Sequence, residues 1–462
     1  MTIQLYNTLT KKVEDFKHKK GSPVLMYNCG PTVYDFAHIG NLNAYIFADI
    51  LRRTLEYVGF EVKQVMNITD FGHLTSDGDN GDDKMTQGLL REGLELTVEN
   101  MRVLAERYAK AFSEDMALVN NESPHIMPFA SDNIDADIDL ISKLVAKSLV
   151  YKTSDGMYFD TSAIKDYGKL GGLSPIDESV ARISGNNEKK SPRDFAVWKF
   201  NQDLGWESPW GKGFPGWHIE CSGMATKFLG NKIDIHTGGA DHIATHHNNE
   251  IAQSENATGE SPFARFWLHV QFLRVGGEKM SKSKNNFYTL RDIMNKGYSP
   301  LAFRYLALSS HYRSSLNFTF ESLSAANTAY TRLIERLSSM PEGGSPIANI
   351  KKVFIEIISH DLDTPKALAY VHTFVSESFA PADVRATILD FDNVLGLGLK
   401  DSVRKYKEEQ SNIPQEIREL AERRKSFRDS KDFLSSDKVR DELIALGYDI
   451  LDNEDGYSLK KR

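Results

Sequence analysis

Between residues 22 and 68 the chain alternates apolar runs with one helical repeat, and that order restricts the folds open to it. Residues 22–27 read Ser-Pro-Val-Leu-Met-Tyr, a run suited to a buried strand, which Gly30 and Pro31 end. From Ile39 onward Leu42, Ile46, Ile50, Leu51, Leu55 and Val58 recur at helical spacing until Gly59. Residues 62–68 then read as a second strand. Strand, helix and strand in this order predict a parallel sheet whose site lies at the strand carboxyl ends. The alternation returns at Ile233-Asp234-Ile235-His236, with a helix expected over 241–254 and an apolar run over 266–273. The expected fold class is α/β, its sheet split by roughly residues 120–205.

A length of 462 residues exceeds what one core usually organises, so several domains are expected. No signal peptide is read at the N-terminus, and no run approaches the roughly 20 apolar residues of a membrane span. Only two cysteines occur, which gives no disulfide framework, and a cytoplasmic location without membrane contact is expected. The net charge of −8 supplies no overall basic field for nucleic acid, although local patches can still provide one. Residues 418–440 carry Arg423, Arg424, Lys425, Arg428, Lys431 and Lys438, nearly balanced by acids; a solvated helix surface accounts for them.

The two cysteines stand among other chemically costly residues. Cys29 opens Cys-Gly-Pro-Thr, and Cys221 follows Gly-Trp-His-Ile-Glu. Downstream, His246 and Glu250 are four apart, which puts both on one face of a helix. Cys29, Cys221, His246 and Glu250 offer two sulfurs, a nitrogen and an oxygen, a donor set for zinc rather than magnesium or calcium. Each alone is more simply a packed or hydrogen-bonded side chain. A second group begins with His38-Ile39-Gly40-Asn41, placed where strand gives way to helix and free N–H groups favour phosphate. Lys279-Met280-Ser281-Lys282-Ser283 follows Gly276-Gly277, and its lysines suit charge on a departing pyrophosphate.

Residues 301–399 are mostly helical in pattern, interrupted by a Pro- and Gly-containing connector over 338–346. Residues 401–414 read as a polar linker, 413–446 as two helices, and the segment from Tyr448 onward as a terminal hairpin.

These stretches together resemble the class I aminoacyl-tRNA synthetases, specifically the cysteinyl-tRNA synthetase family. The resemblance rests on Met26-Tyr27-Asn28-Cys29-Gly30-Pro31-Thr32, Asn67-Ile68-Thr69-Asp70, Gly216-Trp217-His218-Ile219-Glu220-Cys221, the His246–Glu250 segment, the lysine loop and Ser310-His311-Tyr312-Arg313. It implies a Rossmann-type catalytic domain in two halves, residues 1–120 and 206–300, around a connective insertion over 121–205. A helical tRNA-stem-contact domain over 301–400 and a linker with a small anticodon-binding domain over 401–462 would follow. One Zn2+ held by Cys29, Cys221, His246 and Glu250 is implied, binding the thiol of L-cysteine, with Thr69 and Trp217 lining the amino-acid pocket. ATP with Mg2+ is the implied second substrate, contacted by His38, Gly40, Asn41, Gly239, Asp241, Lys279 and Lys282. His38, Lys279 and Lys282 are the implied catalytic groups. The reaction is activation of cysteine as an adenylate and transfer to tRNA(Cys), by an enzyme expected to be a monomer.

Two departures from the family stand out. Asn41 occupies the usual place of a histidine, and can hydrogen-bond without carrying charge. Residues 71–81 form an extra stretch bearing His73, read as a tolerated surface insertion in preference to a lid. An alternative reading is a ligase joining cysteine to an amino sugar in thiol-cofactor synthesis, which shares the core but lacks the C-terminal tail. A zinc-stabilised RNA-binding protein is the non-enzymatic alternative.

Overall fold

The computed structural model describes residues 2–71, 84–173, 188–280, 286–374, 379–453 and 456–461. Four strands, β1 (Val24–Asn28), β2 (Val62–Met66), β3 (Ile233–Gly239) and β4 (Ala264–Val270), form one parallel sheet in the order β4-β3-β1-β2. Met26 pairs with Gln64 on one side and Ile235 on the other. Strands covered on both faces read as continuous apolar runs, and this is why residues 22–27 show no alternation. The strand begins and ends slightly later than expected, at Val24 and Asn28.

Helix α1 (Ile39–Tyr57) carries the chain from β1 to β2 and buries Ile39, Leu42, Ile46, Ile50, Leu51 and Leu55. Each fully buried aliphatic side chain of this kind contributes roughly 1.5–3 kcal/mol. Gly59, at φ +100°, takes the left-handed turn that ends the helix. From β1 the chain moves to β2 on one side, while β3 and β4 add on the other. The carboxyl ends of β1 and β3 therefore flank a point where strand order reverses, the usual crevice of open α/β sheets. Cys29 leaves β1 there, and Gly238-Gly239 close β3.

Between β2 and β3 a separate antiparallel sheet forms from Val150–Lys152, Gly156–Phe159, Phe195–Phe200 and Gly213–Pro215. It runs past residue 205 because Trp206 and Gly213 exchange backbone hydrogen bonds of 2.8 and 2.9 Å. Helix α2 (Trp217–Leu229) follows directly. The helix expected from residue 241 begins later. A short 3-10 turn, Ala240–Ile243, and an irregular Thr245 come first, and α3 spans His246–Thr258. Of the extra stretch over 71–81, only Phe71 is described; it is buried, with its ring 4.6 Å from that of Trp206.

By its internal contacts the chain divides into two compact units, residues 1–327 with 348–373 and 393–397, and residues 328–347 with 374–392 and 398–462. In the second unit, helices Gln415–Asp429 and Phe433–Ala445 share a core with the hairpin Tyr448–Asn453/Gly456–Lys461. The expected linker over 401–414 is mostly helix instead, Leu399–Ser411. Its Lys, Arg, Glu and Gln residues are good helix formers, and Leu399 and Val403, one turn apart, give it a narrow buried stripe.

Arg304, fully buried in the first unit, was not foreseen as structural. Its guanidinium donates to Asp49 Oδ2 at 2.6 Å, Asn121 Oδ1 at 2.7 Å, and the carbonyls of Leu395 and Val119 at 2.7 and 3.1 Å. Because Asp49 lies on α1, the residue ties that helix to its surroundings by charge. Arg304→Met, which keeps the volume, is expected to cost about 3–5 kcal/mol by stranding buried polar partners. A lower denaturant midpoint at unchanged slope would register the loss; an unchanged midpoint would contradict it.

Candidate active site and metal centre

The site starts where β1 ends. The Cys29 amide donates to the Thr237 carbonyl at 3.2 Å, and the Gly30 amide to Asn67 Oδ1 at 2.8 Å. A Cβ on Gly30 would overlap the Asn67 carbonyl oxygen at 1.6 Å, so only glycine lets the two loops close. Asn67 Nδ2 donates onward to Thr69 Oγ1 at 3.0 Å, and Thr69 donates to Glu220 Oε2 at 3.3 Å. The Cys221 sulfur lies 3.8 Å from Asn67 Oδ1. Cys221 occupies the second turn of α2 and is buried.

Helix α3 brings in the remaining groups. His246 Nε2 and Glu250 Oε1 are 3.0 Å apart across one turn, and His236 on β3 holds the other Glu250 oxygen at 2.9 Å. The Cys29 sulfur is 3.2 Å from His247 Nε2 and 3.9 Å from Glu250 Oε1. Donor atoms of Cys29, His246, His247 and Glu250 all lie within 4.8 Å of one another. Cys221 is not one of that group, although its thiol interacts electrostatically with Cys29, His246 and Glu250 beside it. Sulfur, imidazole and carboxylate so gathered, and so buried, fit a thiophilic divalent cation.

The charges agree with such a use. The hydrogen bond from Cys29 holds the Cys221 thiol down to about 6 despite its burial, while burial pushes Cys29 well up. Burial opposes ionisation of Glu250, yet His236 and His246 overcome it and hold the carboxyl well below the usual range. In turn, against burial, Glu250 and Cys221 raise His246 to about 10. Metal ligands must give up their protons, so a cation bound here would release one from this cluster.

The other end of the site is built on α1. His38 is its N-cap: the Asn41 amide donates to His38 Nδ1 at 3.1 Å, and Asn41 Oδ1 accepts from the His38 amide at 3.3 Å. The asparagine that departs from the family pattern therefore closes a reciprocal capping box. A Cβ on Gly40 would stand 2.5 Å from Met280 Cε and 2.9 Å from the His38 ring, so glycine keeps the approach open. Lys279 is exposed on a two-residue strand, and Lys282 lies outside the described residues. Gly239 ends β3, and Asp241 begins the turn after it. One cavity of about 350 Å³ is lined at once by Cys29, His38, Thr69, Trp217, Asp241 and Lys279. The Trp217 ring stacks on His246 with centroids 4.2 Å apart. Glu250 is not among the lining residues but sits behind them, fully buried.

Sequence reasoning singled out His246 but passed over its neighbour His247, and missed His218, His236 and His269. The His246-His247 pair was visible, but adjacent helix residues point about 100° apart, and nothing local says that both directions meet polar partners. His218 Nδ1 lies 2.8 Å from His246 Nδ1.

Comparison with known proteins adds the following. Residues 15–328 match the family described as tRNA synthetases class I (C) catalytic domain. The cysteine–tRNA ligase 1 of Burkholderia lata is 44% identical over 465 residues, covering 99% of this chain and 97% of its own. The cysteine–tRNA ligase of Treponema denticola is 39% identical over 498 residues and covers all of both chains. Among solved structures, a Mycobacterium tuberculosis methionyl-tRNA synthetase in complex with methionyl-adenylate aligns with a TM-score of 0.57 at 15% identity, over 83% of this chain and 91% of its own. At that identity the likeness concerns the fold alone.

Next to Thr69, burial pushes the Asp70 carboxyl up to about 6, against hydrogen bonds from Ser131 and the charge of Arg102. An acid raised in the fold favours folding while protonated. Its contribution is complete below about pH 4 and is lost as pH rises through 6, on the order of 3 kcal/mol in all. Asp70→Asn can still accept the Ser131 amide, at 2.9 Å in the parent. Thermal unfolding of the two proteins from pH 4.5 to 7.5 should show the difference move in the variant's favour as pH rises; a constant difference would refute the shift.

Proposed function

This chain belongs to the class I (C) tRNA synthetase family, and from that premise we propose that it is a cysteine–tRNA ligase. It activates L-cysteine with ATP and Mg2+ and transfers the cysteinyl group to the 3′ end of tRNA(Cys). The observation that carries the reading is the single cavity whose lining joins a sulfur-rich polar cluster to the N-terminus of α1. One end suits a thiol and the other suits phosphates. Relatives named for this activity align over the whole chain, its C-terminal unit included, which weighs against the amino-sugar ligase.

Within this reading Cys29, Cys221, His246 and Glu250 hold one Zn2+, which supplies a soft Lewis acid for the substrate sulfur. Thr69 and Trp217 line the amino-acid end. Thr69 is oriented by Asn67 and Glu220, and Trp217 by its stack on His246. In the first step a cysteine carboxylate oxygen bonds to the α-phosphorus of ATP and the bond to the bridging oxygen breaks, releasing pyrophosphate. The free N–H groups of α1 and the His38 side chain stabilise phosphate charge as it develops. Because His38 Nδ1 accepts from the Asn41 amide, the ring is left with Nε2 to donate. Gly40 and Gly239 allow close approach of the nucleotide, Asp241 serves the ribose, and Lys279 with Lys282 balances the leaving pyrophosphate. In the second step a terminal ribose hydroxyl of the tRNA attacks the cysteinyl carbonyl and AMP departs. No covalent bond to the protein forms in either step. The enzyme works as a monomer in the cytoplasm, a location that suits its two free thiols. No helix among the described residues is long and apolar enough to cross a membrane.

Metal analysis and cysteine-dependent ATP–pyrophosphate exchange, on wild type and Cys221→Ser, test this reading. Wild type should carry about one zinc per chain, and the variant should lose both metal and exchange. Shape alone separates near-isosteres by about 100-fold; wild type should prefer cysteine to serine by more. An active wild type free of zinc, or one using serine comparably, would sink the zinc assignment.

A further inference from the structure

His247 is gathered into the sulfur cluster yet belongs to none of the four ligand positions, and its other nitrogen leads away from the site. His247 Nδ1 lies 2.7 Å from His269 Nε2, and His269 Nδ1 lies 2.8 Å from Thr8 Oγ1. His247, His269 and Thr8 are all buried. Three distant segments supply them: the loop after strand Ile3–Asn7, the start of α3, and β4. Thr8 is fixed by its amide, which donates to the Trp267 carbonyl at 2.9 Å. His269 is fixed by pairing with Gly238 across β3 and β4. A Cβ on Gly238 would stand 2.7 Å from His247 Cε1, so glycine there admits the ring.

Two ring nitrogens 2.7 Å apart share one hydrogen, so the whole chain must point one way. If His247 were itself a metal ligand through Nε2, its Nδ1–H would donate outward to His269, and His269 Nδ1–H to Thr8. If Cys29 is the ligand, its sulfur carries no hydrogen, and the 3.2 Å contact is made by His247 Nε2–H. Nδ1 of His247 is then bare, His269 donates to it through Nε2–H, and the Thr8 hydroxyl donates to His269 Nδ1. Every hydrogen has a place in that arrangement, and every lone pair facing one is used.

We infer that Thr8, His269 and His247 form a directed hydrogen-bond chain ending in an N–H donated to the Cys29 sulfur, so that His247 is a positioning residue of the metal centre. The inference rests on the proposed metal reading. The chain fixes the sulfur's direction and shares its charge, as partners outside the ligand set do for other metal sites. It also makes the N-terminal loop, remote in sequence, part of the site.

The direction can be read by 15N NMR of the histidine rings in the zinc-loaded enzyme. His247 and His269 should both be Nε2–H tautomers; Nδ1–H tautomers would make His247 a ligand and overturn the inference. Thr8→Val and Thr8→Ser then test whether the chain matters. With thermal midpoints matched, zinc loss to a chelator should be about 10-fold faster in Thr8→Val and within about twofold of wild type in Thr8→Ser. Equal rates in the two variants would also overturn it. A wild type that binds no zinc would instead bring down the metal reading, and the relay with it.

Discussion

A carboxylate with no exposed surface must be held by charge or hydrogen bonds, and Glu250 is held by His236 at 2.9 Å and His246 at 3.0 Å. The remainder of the site is arranged around that requirement. His236 sits on β3 in register with Tyr27 on β1 and Trp267 on β4, so the carboxylate is gripped from the middle of the sheet. His246 comes from the first turn of the same helix as Glu250. Removing either imidazole would leave a buried ionised acid underpartnered, which few folds tolerate. The Trp267 ring lies flat against His236, 4.5 Å away, which limits how that imidazole can turn.

The same sheet end suits the nucleotide of the proposed reaction. Strand order reverses at β1, and α1 leaves β1 with its N-terminus toward the cavity. The capping box of His38 and Asn41 gives both residues two duties, closing the helix end and presenting an imidazole. Glycines at 30, 40 and 238 are required by close neighbours, the Asn67 carbonyl, Met280 with the His38 ring, and the His247 ring respectively. The backbone is thus kept bare where the cavity needs room. Packing and chemistry are not separable here.

Much of this architecture was legible in the residues. The order of elements over residues 22–68 predicted parallel strands around one helix, because short apolar runs, the period of 3.6 and the stop at Gly59 are local signals. The four-residue spacing of His246 and Glu250 predicted a shared helix face. Where local signals misled, the causes are physical. Residues 401–414 are polar enough to read as a linker, yet their types favour helix and two buried residues suffice to dock it. The helix expected from residue 241 was delayed by the irregular backbone at Thr245. The antiparallel sheet ran on to Pro215 because Trp206 and Gly213 pair across a turn, and no pattern of apolar residues announces that pairing.

What the sequence determined by itself was therefore what neighbouring residues decide among themselves: element types, the helix start at His38, and which side chains share a turn. Tertiary structure alone decided which of the other twelve histidines join His246 at the two sulfurs. It also decided that Thr8 would touch His269, and that Arg304 would be buried on Asp49. Those contacts join segments hundreds of residues apart, and they depend on strand order and register. Neither leaves a periodic trace in the chain, because a hydrogen bond across a sheet or between a loop and a helix has no fixed spacing in sequence.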